Sequence, residues 1–136
     1  MLSTMYVALD VLFTVVHASL IAFILTGWIW AKSRFLHLVV VVLTFLSWFG
    51  LGFFYGFGYC ACTDWHWRVK RLLGETNLPN SYVKYYLDRL TGWDWPALFV
   101  HALVLFFGIC ALVLSILLNW RSRRPFSARP DASDSC

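Results

Sequence analysis

The chain has 136 residues, 60% of them apolar and 13% charged, with a formal net charge of +4. That is about half the charge of a typical soluble domain, which excludes a water-soluble globular fold of this size. The basic residues flank apolar runs instead of forming a patch, which excludes nucleic acid as a partner.

Three long uncharged stretches dominate: Val11–Trp30, Phe35–Cys62 and Trp95–Trp120. Each is long enough to cross a hydrocarbon core of roughly 30 Å as a helix. The expected fold is all-α: an integral membrane three-helix bundle with a two-helix amphipathic outer loop. The spans are placed at about 5–30, 35–60 and 95–120, the loop at 63–94, and a mobile basic cytoplasmic tail at 121–136. The first span lacks a basic leader, carries Asp10 early and is too long for a signal-peptide core, so it is read as a retained helix.

Trp28 and Trp30 suit an interfacial belt at the end of the first span, before a tight turn containing Lys32 and Arg34. The outer half of the second span is glycine-rich. Gly52 and Gly56 form a GxxxG pair, and Gly108 in the third span is a further small residue for close helix packing. In the loop, Thr63 can cap a helix with Trp65, Val69, Leu72 and Leu73 at helical spacing, ending at Gly74. After Pro79-Asn80 a second helix places Val83, Tyr86, Leu87 and Leu90 opposite Lys84 and Asp88, and Gly92 ends it. Both helices are expected to lie in the interface, apolar face down. Asp94 is the expected N-cap of the third span, with Pro96 in its first turn.

The turn basic residues and Arg121, Arg123, Arg124 and Arg129 fall on one side of a three-span protein. The positive-inside rule makes that side cytoplasmic, giving an N-out, C-in protein of the bacterial inner membrane. Five basic residues in the outer loop are nearly balanced by four acidic ones.

Polar residues inside spans normally face protein or water. Asp10, Thr14 and His17 share one helix face, as do His37, Thr44, Trp48 and Tyr55, and again His101, Gly108, Ser115 and Asn119. Counted by helical rise, Asp10, Tyr55 and His101 fall at one depth and form a candidate intramembrane polar cluster. His17 and His37 are candidate ligand or hydrogen-bond sites. A bis-His haem needs two imidazoles at one depth, but His17, His37 and His101 occupy three layers, so no cofactor is required.

Cys60, Cys62, Asp64 and His66 alternate as ligands on an extended strand would, making Cys60, Cys62 and His66 a candidate metal or disulfide site. A helix starting at Thr63 would turn Asp64 and His66 away from the two thiols, so no metal is assigned. No nucleophile-elbow, zincin, phosphate-loop or dinucleotide motif occurs, and the chain is read as a non-enzyme.

Asp10 followed by His17, a basic turn before Leu36-His37, Gly58-Tyr59-Cys60 with Thr63, an amphipathic loop and a closing span together resemble the bacterial domain-of-unknown-function family 2784. The resemblance covers about residues 5–120. It implies a small inner-membrane protein without an established activity, in which Asp10, His17 and His37 occupy favoured positions. The family's usual Cys-Pro-Leu-Thr reads Cys60-Ala61-Cys62-Thr63 here, followed by His66-Trp67. Cys62 and His66 therefore inherit no role from it.

The leading functional expectation is a non-catalytic accessory subunit of a larger, energy-converting membrane complex, with other integral membrane proteins and lipid as partners. The alternative is a redox or ligand-binding module for haem, quinone, pigment or lipid using intramembrane histidines. A transport role would require a homo-oligomer.

Overall fold

The computed structural model describes residues 2–56 and 59–123. Its elements are α1 (Leu2–Thr26), α2 (Arg34–Leu46), a π-helical stretch (Ser47–Leu51), α3 (Gly52–Tyr55), α4 (Ala61–Leu72), α5 (Tyr82–Thr91) and α6 (Ala97–Arg123). No strand occurs among the described residues. Three continuous segments are long and apolar enough to cross a membrane: Ser3–Thr26, Arg34–Tyr55 and Ala97–Ser122. The all-α, three-span architecture thus matches the sequence expectation.

The boundaries differ in detail. The first helix stops at Thr26 instead of about residue 30, because the chain turns at once: Ser33 Oγ donates to the carbonyls of Gly27 (2.7 Å) and Trp30 (3.1 Å). The second span ends at Tyr55, since Gly56 adopts φ +102°, a backbone that glycine reaches without steric cost. Gly58, placed in that span from sequence, lies outside the described residues. The third helix runs on through Arg123, so the expected tail begins inside it, and 124–136 lie outside the described residues.

α2 packs along α6, and α1 joins them at the turn end of the bundle. His37, Val41, Val100, Ala111 and Ser115 are buried in or beside these contacts. Gly108 lets α2 approach: a Cβ there would stand 3.2 Å from the Phe45 ring. Asn119 Nδ2 donates to Arg34 O at 3.0 Å, placing the basic turn and the C-terminal end of α6 at one end of the molecule.

At the other end α4 lies against α1, and α5 reaches α6. The loop helices are therefore packed on the bundle. α4 starts three residues earlier than expected, with Cys60 in place of Thr63 as the residue before it, and Thr63 is buried inside the first turn instead of capping it. Against the bundle α4 buries Thr63, His66, Trp67, Val69 and Lys70, while Trp65 and Leu72 are exposed. Asp10 accounts for the buried polar residues: a carboxylate within the first span needs a cationic and hydrogen-bonding partner, and α4 supplies it.

α5 follows the sequence more closely. Ser81 Oγ accepts from Lys84 N, and Gly92 ends the helix in the left-handed region. Asp94 does not cap α6. Its carboxylate takes Lys84 Nζ at 2.5 Å, and Lys84 also binds Asp88 Oδ2 and Trp95 O, each at 2.6 Å. Asp88 Oδ1 accepts from Trp95 N at 2.9 Å, so one lysine and two carboxylates tie the end of α5 to the start of α6.

Candidate functional site

The densest polar constellation joins α1, α4, the loop after it, and α5. Asp10 projects from α1 two turns after its start. On α4, His66 and Lys70 are four residues apart and so share one face, which is turned to Asp10. His66 Nε2 lies 2.7 Å and Lys70 Nζ 3.0 Å from the same atom, Asp10 Oδ1. Both donors are shielded, His66 at 0% exposure and Lys70 at 4%.

α4 ends in a turn that extends the cluster. Gly74 takes φ +89°, and Glu75 N bonds back to Lys70 O at 3.0 Å. This helix-ending motif brings Glu75 over the lysine that precedes it. Glu75 Oε1 then stands 3.3 Å from Lys70 Nζ. Tyr85 of α5 donates its phenol proton to Glu75 Oε2 in a short hydrogen bond, and Arg89 Nη1 donates to Tyr85 Oη at 2.6 Å. A continuous chain of charge-assisted bonds thus runs from Asp10 in the span to Arg89 at the surface.

The titrations follow from this geometry. Burial is the main force on His66 and lowers its pKa, although the Asp10 carboxylate pulls the other way. The hydrogen bonding explains why the neutral ring is preferred. Nε2–H donates to Asp10, and Nδ1 is buried with no partner among the described residues. A bare acceptor among the rings of Phe13, Trp67 and Tyr82 is tolerable. A protonated ring would strand a buried N–H there. Burial opposes the Lys70 ammonium, but the bonds to Asp10 and Tyr85 outweigh it and raise the lysine pKa. Burial likewise opposes the Glu75 carboxylate, and Tyr85 with Lys70 more than compensates, lowering its pKa. Lys70 and Glu75 therefore form an ionised pair beside a neutral imidazole.

Deeper along α1, Thr14 and Tyr86 share a hydrogen bond of 2.8 Å. The His17 ring stacks on Tyr82, with centroids 3.8 Å apart and planes at 19°. His17, a candidate ligand from sequence, is thus a buried stacking partner. At the turn end, His37 is fully buried with both ring nitrogens engaged. Nε2 donates to Ile24 O at 2.9 Å, which leaves Nδ1 to accept from Ser115 Oγ at 3.0 Å. His37 is therefore a hydrogen-bond site whose nitrogens are not open to a metal or cofactor.

The expected trio of Asp10, Tyr55 and His101 does not assemble. Asp10 is committed to His66 and Lys70, Tyr55 stacks on Tyr59 with centroids 4.7 Å apart, and His101 bonds neither of them. Equal depth does not set rotation about a helix axis, and the early end of α3 turns Tyr55 outward. Cys60 and Cys62 are unlinked thiols. His66, the third residue of that candidate metal or disulfide set, faces α1 instead. Among the described residues no three His, Cys, Asp or Glu side chains are grouped to hold a metal. Of the glycine pair, Gly56 ends the helix instead of lying within it.

Lys70, Glu75, Tyr82 and Tyr85 were not anticipated as site residues. The available signal was the spacing of His66 and Lys70, which places a lysine on the histidine face, together with an acid inside a span that lacked a cation. Residues 7–120 match the family described as Protein of Unknown function (DUF2784). No curated protein and no solved structure matches the chain.

Proposed function

The chain belongs to the DUF2784 family, and from that footing we propose that it is a non-catalytic accessory subunit of a larger, energy-converting membrane complex. The observation that carries this reading is the outer half of the second span. There α2 gives way to a π-helical stretch and then α3, and a Cβ at Gly50 would meet nothing within 4 Å among the described residues beyond its own helix backbone and chain neighbours. Phe53 and Phe54, 86% and 78% exposed, meet each other edge-on. A glycine-flattened surface flanked by projecting aromatic rings suits the close approach of another helix better than lipid alone.

The buried charges fit a structural role. Asp10, Lys70, Glu75 and Tyr85 satisfy one another, and a saturated network fixes a loop on a helix without offering a group to a substrate. His37 has no free nitrogen for a haem or pigment, which weighs against the redox alternative. We assign the protein to the bacterial inner membrane with its N-terminus outside. Lys32, Arg34, Arg121 and Arg123 share one end, whereas most cations at the other end are paired with carboxylates.

The test is purification from native membranes in a mild detergent, with stoichiometry read by mass spectrometry. A large membrane protein present at a fixed ratio, and lost in Gly50→Leu while the variant itself still folds, is the expected result. Recovery of the protein alone, or only with itself, would overturn the reading.

A further inference from the structure

A second feature lies beside the Asp10 cluster, on the neighbouring face of α4 that carries Asp64, Trp67 and Arg71. A cleft of about 550 Å³ opens between Tyr55, Gly56, Tyr59 and Cys60 on one side and the loop joining α4 to α5 on the other. That volume is within the range of small-ligand sites, roughly 300–1,000 Å³. It is walled by the stacked rings of Tyr55 and Tyr59, by Trp67 and by Arg71, with the carboxylates of Asp64 and Glu75 at its edges.

The charge pattern of the cleft is specific. Arg68 pairs with Asp64, Lys70 with Asp10 and Glu75, Lys84 with Asp88 and Asp94, and Arg89 with Glu75. Among the described residues at this end of the molecule, Arg71 alone of the cations has no carboxylate partner. Its Nε donates to Trp67 O at 3.2 Å, which holds the side chain along the cleft wall and leaves the terminal guanidinium nitrogens for another acceptor. A guanidinium fork of this kind matches phosphate. The side chains of Thr76, Asn77 and Asn80 add neutral hydrogen-bonding groups on the same lining.

The remaining lining favours a positive group. Tyr rings attract an ammonium through their faces, and the Asp64 carboxylate on the same lining supplies acceptor oxygens. Tyr55 is also the last residue of the second span, so the cleft begins where hydrocarbon gives way to headgroups. We infer that this cleft binds a phosphate ester carrying an amine, the chemistry of a phosphatidylethanolamine headgroup, with Arg71 on the phosphate and Tyr55, Tyr59 and Asp64 around the ammonium. The site stands independently of the accessory-subunit reading, since it needs no protein partner.

The test uses the full-length protein in detergent micelles with an equimolar mixture of phosphatidylethanolamine and phosphatidylglycerol, and native mass spectrometry reads the retained adducts. Phosphatidylethanolamine should be retained in preference. Arg71→Gln should weaken it about tenfold or more, the scale of losing a hydrogen bond to a charged group, while Arg68→Gln leaves it unchanged. Tyr59→Leu should reduce the preference for phosphatidylethanolamine over phosphatidylglycerol. Soluble phosphoethanolamine separates the two sources of this chemistry: displacement of the lipid at equal concentration identifies a free amino-phosphate, and failure to displace identifies the membrane lipid. Equal retention of the two lipids by the wild-type protein, or equal weakening by Arg71→Gln and Arg68→Gln, overturns the inference, and the wild-type comparison decides even if a variant fails to fold.

Discussion

Lys70 Nζ and Asp10 Oδ1 stand 3.0 Å apart, with the lysine side chain 5% exposed and the carboxylate 25%. The pair ties a charged helix outside the spans to the first span itself. Removing one partner of a buried pair leaves the other uncompensated, which costs about 3–5 kcal/mol. Asp10 is partly open to solvent, so Asp10→Asn is expected near the lower end of that range. The double variant Asp10→Leu with Lys70→Met removes both charges and should lose clearly less than the sum of Asp10→Leu and Lys70→Met alone. Denaturant unfolding of the four proteins in micelles gives the coupling directly. Simple additivity would mean that the two groups do not interact.

The same cluster predicts a pH profile. His66 has a depressed folded pKa, so the unfolded chain binds its proton more readily below the ordinary value of 6.5 and stability falls as pH drops through that region. Glu75 is also depressed from 4.5, and its contribution is lost as pH falls further toward its folded value. Lys70 is raised above 10.5, so its contribution persists below that pH and disappears as pH rises through the folded value. Thermal unfolding followed by tryptophan fluorescence should show a plateau between 6.5 and 10.5 with losses on both sides. His66→Phe should flatten the step at the upper acid limb while leaving the Glu75 limb in place.

At the turn end, Ser115→Ala deprives His37 Nδ1 of its donor inside a fully buried site. The expected cost is about 1–3 kcal/mol, that of a buried polar atom left unsatisfied. Ser122→Ala, whose exposed hydroxyl donates to Leu118 O within α6, should cost much less. Denaturant midpoints of the two variants provide the comparison, and equal midpoints would contradict the role assigned to Ser115.

Much of the architecture was legible because apolar length and helical period report directly on spans. The three helices, the amphipathic α5 with Gly92 at its end, and the inward position of Ser115 and Asn119 follow from those signals alone. The site was less legible. Depth along a helix can be counted, but which neighbour a side chain meets depends on rotation and on where α3 stops, and Gly56 moved that point. Asp10 was singled out but given other partners, because counting depth along the spans considers only the spans, whereas His66 and Lys70 reach it from the loop helix α4.

A photo-crosslinking residue placed at Phe54 and activated in native membranes tests the accessory-subunit proposal most directly. The account predicts one discrete protein adduct of fixed mass, absent when the crosslinker is moved to exposed Leu25 near the turn end and absent again in the Gly50→Leu background. Lipid adducts alone, or a self-adduct of twice the chain mass, would contradict it.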